Sequence, residues 1–114
     1  MPINPQEKIN EEFQRAETAR MNGNEGQARV CARRAAGIAI GEYLSRHGYP
    51  LPGPSAIDRL KYIQQLPSIS PEIKTVTKHL TTRVTENFTL PIDVDLVAEA
   101  KWLVNQLLND IQVD

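Results

Sequence analysis

Residues 24–48 read NEGQARVCARRAAGIAIGEYLSRHG, and this stretch decides the fold. Small side chains (Ala28, Ala32, Ala35, Ala36, Ala39, with Gly37 and Gly41) share helical spacing with Val30, Ile38, Ile40, Tyr43 and Leu44, beneath a row of arginines. A helix surfaced in this way packs against neighbours at short interaxial distance. Its residues add little volume of their own, so it is expected at the centre, covered on more than one side. Asn24 caps it, with Gln27 three residues on, and Arg46 and His47 suit the negative end of its dipole. Over the whole stretch it would extend about 36 Å at 1.5 Å per residue.

Upstream, Asn4-Pro5-Gln6-Glu7 has the form of a capping box after a short tail of residues 1–4. It predicts a first helix to about Met21, with Ile9, Phe13, Ala16 and Ala19 as a narrow apolar stripe, lying on the outside of the bundle. Gly23 stops that helix, and so tight a connection makes the first two helices an antiparallel hairpin.

Downstream, residues 48–54 (GYPLPGP) form a stiff connector, because three prolines remove donors and force extended backbone. Ser55, with Asp58 three on, opens a short helix carrying Ile57, Leu60 and Ile63 and ended by Pro67. Ser70-Pro71-Glu72 starts another, with Ile73, Val76, Thr77, Leu80 and Val84 on one face, ending near Asn87. Residues 88–91 read as an extended link. A last helix from about Asp93 or Asp95 has the strongest stripe: Leu96, Val97, Ala100, Leu103, Val104, Leu107, Leu108 and Ile111. No run alternates with period two long enough for a strand. The expectation is all-α: one domain spanning residues 1–114, an up-and-down four-helix bundle with one short additional helix.

Composition narrows the function classes. Aromatics are 5% of a chain of 114 residues, so its core must be aliphatic and alanine-rich. Arg33, Arg34 and Glu42 interrupt the longest apolar run, well short of the roughly 20 residues of a membrane span. The start, MPINPQEKINEEF, does not read as a secretory signal, and a lone cysteine, Cys31, forms no internal disulfide; a cytoplasmic location is expected. The net charge of −1 hides an asymmetry: residues 15–47 carry six arginines against three glutamates, residues 84–114 one lysine against six carboxylates. That suits a modest anion-binding surface or a self-complementary contact rather than a dedicated duplex-DNA binder.

Two segments carry a family resemblance. ARVCARRAAGIAIGEYLSRHG, ending at Gly48, is similar to the alanine-rich second helix of the HEPN family of helical domains, and LTTRVTENFTLPIDVDLVAEAKWLV (residues 80–104) resembles its later segment, an arginine near a helix end and then an acidic start to a closing helix. Ribonuclease members of that family carry an arginine followed four to six residues later by a histidine. Arg83 occupies a position like that arginine, but Val-Thr-Glu-Asn-Phe-Thr follows it and the histidine is missing. The resemblance therefore implies a noncatalytic module that contacts nucleotide or RNA, or the helical partner of a small nucleotidyltransferase.

Individual residues leave alternatives open. Arg29 and Arg33 share a helix face and could grip phosphate bidentately. An equally simple reading is a solvated face paired with Glu25 or with neighbouring carboxylates, with one of Arg33 and Arg34 entering an interhelical contact. His79 and Arg83, one turn apart, could form a general base with a phosphate-binding partner or an ordinary polar face. His47 reads as a partly buried, hydrogen-bonded histidine, and Cys31 as packing. Trp102, off the main stripe of the last helix, and Tyr49 and Leu51 in the proline segment are interface candidates. No metal site is expected, since there is no CxxC, no HExxH and no histidine pair at i, i+4; no cofactor is called for. Three functions follow: an interaction module acting as a homodimer or beside a protein partner, contacting nucleotide or RNA through Arg29, Arg33 and Arg83; a toxin-like, metal-independent ribonuclease using His79 and Arg83; or a purely structural bundle.

Overall fold

The computed structural model describes residues 4–82 and 92–109. Within them the chain forms α1 (Pro5–Met21), α2 (Glu25–Arg46), α3 (Ala56–Gln64), α4 (Pro71–Leu80) and α5 (Leu96–Leu108), with no strand. Each helix begins where a side chain can take up the unpaired N–H groups of its first turn. Asn4 makes the full capping box with Glu7, Asn24 accepts from the Gln27 N–H, Ser55 from Asp58, Ser70 from Ile73, and Asp95 from both Val97 and Ala98. Gly23, at φ 76°, turns the chain between α1 and α2 in a conformation that favours glycine.

α2 is the central element: α1, α3 and α5 all pack on it, and α4 joins α3 to α5 on the far side. Its small residues Ala28, Ala32, Ala35, Ala36 and Ala39 are fully buried, as its composition requires. The ion pairs give the directions. Glu17 of α1 meets Lys101 of α5 at 2.7 Å, and Arg20 at the end of α1 meets Asp95 at the start of α5, so these two run antiparallel. α2 and α5 run parallel: Arg20 bridges Glu25 and Asp95 at their starts, and the Arg46 guanidinium donates to the Leu108 carbonyl at their ends. α4 runs against α2, with Ile73 in a cleft beside Tyr43 and Leu80 beside Arg33.

Three readings are adjusted. Ile57 does not join Leu60 and Ile63 in the core; it is 36% exposed and lines a surface cleft between α3 and α2. α4 ends at Leu80 with Thr81 as its C-cap, short of the Asn87 boundary; Val84 and Asn87, like residues 88–91 and Ile111, lie outside the described residues. His47 is exposed rather than partly buried: it is the C-cap of α2, its Nδ1 2.9 Å from the Tyr43 carbonyl and its ring 4.2 Å from that of Tyr43.

Candidate functional site: a groove along the central helix

The α2–α3 contact is made at two glycines. A Cβ on Gly37 would lie 2.8 Å from the Ala56 Cβ, so the start of α3 rests directly on the α2 backbone. One turn on, the Arg59 guanidinium covers Gly41, its Nε donating to the Gly53 carbonyl (2.6 Å) and its Nη1 to that of Gly37 (3.1 Å). A single side chain thus fixes the proline connector and α3 to α2.

Because α3 sits this close, it forms one wall of a groove whose other wall is α1. The wider half, about 500 Å³, is lined by Glu12, Val30, Arg34, Ile38 and Ile57 among others. The narrower half, about 330 Å³, shares Ile38 and Arg59 with it and adds Lys8, Glu42, Ser45 and Leu51. Two of the four large hydrophobics exposed among the described residues stand here, Ile57 at 36% and Leu51 at 52%; the others are Met21 and Trp102.

The arginines divide into committed and available groups. Arg33 Nε donates to the Leu80 carbonyl at 2.7 Å and Nη2 to Thr82 at 3.1 Å, capping the end of α4. Burial, and secondarily the positive charge of Arg29, hold its pKa below the ordinary arginine value. It is the member of the Arg33/Arg34 pair that enters an interhelical contact. Arg29, half-buried, and Arg34, exposed, make no hydrogen bond or ion pair with the described residues. Arg83 lies outside them, so the trio Arg29, Arg33 and Arg83 is placed only in its first two members, side by side on α2. The carboxylates of the groove are engaged within their own helices: Glu12 Oε2 with Arg15 at 3.3 Å and Glu42 with Arg46 at 2.9 Å. The second Glu12 oxygen is buried without a hydrogen-bond partner among the described residues.

Elsewhere, Arg20 holds Glu25 (2.6 Å) and Asp95 (3.0 Å) at the meeting point of three helix ends. Its hydrogen bonds push both carboxyls below their usual range, and those carboxylates, Glu25 first, raise the Arg20 pKa. His79 Nδ1 lies 2.7 Å from Glu99 Oε1, joining α4 to α5. Cys31 is buried, with the Gln27 amide 3.7 Å from its sulfur. Trp102 is 36% exposed on α5, and Tyr49 packs against the core from the connector. Among the described residues no group of three or more potential metal ligands gathers, and no helix is long and apolar enough to cross a membrane.

Sequence reasoning passed over Arg59, although the Gly37-x-x-x-Gly41 spacing marked where another element would approach closely. Neither half of the groove contains a histidine or cysteine; its lining combines apolar Val30, Ile38, Leu51 and Ile57 with charged Lys8, Glu12, Arg34 and Glu42, and Lys8 and Arg34 have no ion-pair partner among the described residues. Among the described residues the chain is all-α, with two adjoining clefts beside its central helix that meet at Ile38 and Arg59. Comparison of the chain with models of protein families, with curated proteins and with solved structures finds no match.

Proposed function

We propose that the protein is a noncatalytic, HEPN-like interaction module, an up-and-down bundle of α1, α2, α4 and α5 with α3 as the short addition, and that it engages another protein through the groove between α1, α2 and α3. The observation that carries this reading is the pairing, on one groove, of exposed Ile57 and Leu51 with Arg34 and Lys8, which have no ion-pair partner among the described residues. Unburied aliphatic side chains beside unpaired charge are what a protein-contact surface needs at its centre and rim. Both a homodimer and a complex with a nucleotidyltransferase, the latter a role implied by the family resemblance, belong to this class. Light scattering on the purified chain, together with recovery of a stoichiometric protein by the tagged chain, tests it; assembly lost in Ile57→Glu and kept in a folded exposed-residue control such as Met21→Glu supports the groove. Assembly untouched by Ile57→Glu overturns it.

A ribonuclease is the second reading, favoured by one observation: Glu99 orients His79 through a 2.7 Å contact, as a carboxylate orients a general base. It requires metal-independent RNA cleavage that disappears in His79→Ala.

A further inference from the structure

We infer that the groove takes one helix of a partner protein, about four turns long, apolar on the face it lays down and acidic along its flank. This rests on the interaction-module reading and gives that partner its chemistry.

Length comes from α2. The lining runs from Val30 to Ser45, about 22 Å at 1.5 Å per residue, which matches four helical turns. The exposed anchors are distributed along it, Ile57 in the wider half and Leu51 in the narrower, as i, i+3/i+4, i+7 side chains of a docked helix require. Strand addition needs a free sheet edge, and the described residues contain no strand. Capture of a polyproline segment needs aromatic walls, and neither half of the groove has one.

Charge selects an acidic partner. Glu42 is paired with Arg46 and one oxygen of Glu12 with Arg15, whereas none of the four cations of the lining meets a carboxylate among the described residues: Arg33 and Arg59 donate to neutral carbonyls, and Arg34 and Lys8 have no ion-pair partner. Single-stranded RNA is read by stacking of its bases on aromatic rings or guanidinium planes and by hydrogen bonds to their edges, and of the two stacking platforms the lining supplies only arginine. The groove offers neither an aromatic ring nor a side-chain amide.

The test selects peptides of about 16 residues from a random library on the immobilised full chain and measures their affinity by fluorescence anisotropy. The expected winners repeat apolar residues at helical spacing, carry Asp or Glu beside them and gain helicity on binding. They weaken about tenfold or more, equivalent to about 1.4 kcal/mol per decade, against Ile57→Glu and against Arg34→Glu, and charge-reversed versions with Lys for Glu do not bind. Leu51→Glu is the substitute if Ile57→Glu melts below the wild type. Winners indifferent to these variants but sensitive to Trp102→Ala overturn the groove inference while leaving an interaction module standing; a library with no enrichment overturns the groove inference, and the interaction-module reading falls with it only if light scattering and recovery by the tagged chain also show no assembly. A dimer abolished by Ile57→Glu assigns the groove to a second copy, and oligouridine binding abolished by Arg34→Glu assigns it to RNA; either result overturns the inference.

Discussion

Replacing Gly37 by alanine sets two physical effects against each other at one position. In a helix interior the change is favourable by about 1 kcal/mol, because glycine loses more backbone freedom on folding. Here the new Cβ would stand 2.8 Å from the Ala56 Cβ and 2.9 Å from its Cα, against the roughly 3.5–4.0 Å at which carbon atoms attract. One of those atoms is backbone, so α3 has to retreat by most of an ångström. Overpacking of this kind costs about 1–3 kcal/mol, and the retreat stretches the Arg59 bond to the Gly37 carbonyl, now 3.1 Å, a hydrogen bond to a charged group worth about 1.5 kcal/mol or more. The net expectation is a loss of about 2 kcal/mol, seen as a fall of roughly 8 °C in Tm. Urea denaturation and thermal melting followed by circular dichroism measure it. Gly26→Ala supplies the contrast, since its Cβ meets only the Asn24 side chain at 3.9 Å; propensity then prevails, and stability rises by about 0.5–1 kcal/mol. Ala56→Gly in the Gly37→Ala background should recover part of the loss but not all, because the Cα clash remains. If Gly37→Ala is as stable as the wild type or more so, the reasoning about α3 is refuted.

Arg33→Met should destabilise by about 2 kcal/mol in urea, since two charge-assisted bonds to the end of α4 are lost, and Arg33→Lys should not restore them because an ammonium lacks the planar fork that reaches both carbonyls. Arg20→Met should flatten the acid limb of the stability curve. Asp95 and Glu25 are held below their usual range, so the unfolded chain binds more protons than the folded one; their contribution is complete above about pH 5 and is lost as pH falls through the lowered folded values. As all three side chains are a third or more exposed, screening limits the effect to about 1 kcal/mol, read as a smaller difference between melts at pH 7 and pH 3 in the variant. Incubation with single-stranded RNA in chelator should leave the RNA intact in the wild type and in His79→Ala alike; cleavage by the former and not the latter would reverse the choice between the two functional readings.

The helix starts were legible because each is a local event: a cap and the N–H it receives are two or three residues apart, at Asn4, Asn24, Ser55, Ser70 and Asp95 alike. The central place of α2 was legible for a related reason, since a helix of alanine and glycine has no other way to bury area. What escaped was everything decided at long range. Arg33 looks like a phosphate ligand by spacing, yet its acceptors are 47 and 49 residues away. Ile57 keeps the stripe of Leu60 and Ile63, but periodicity gives a direction without saying where the neighbouring helix stops. His47 follows Ile40 and Tyr43 along the helix face and passes beyond the core at its end. The groove, made by the packing of α3 on α2, left no trace in any single segment.

The Arg59 clasp also sets which substitutions can accumulate together. In its present placement the Arg59 guanidinium fills the space a side chain at position 41 would take, so such a side chain would displace it from its two carbonyls, while position 37 receives the start of α3 because it has no side chain. Divergent copies of this chain are therefore expected to change residues 41 and 59 in concert: a larger residue at 41 accompanied by a shorter one at 59, with the proline connector re-anchored by other means. An alignment of such copies would record the clasp as a coupled pair of columns separated by 18 positions, visible without any coordinates.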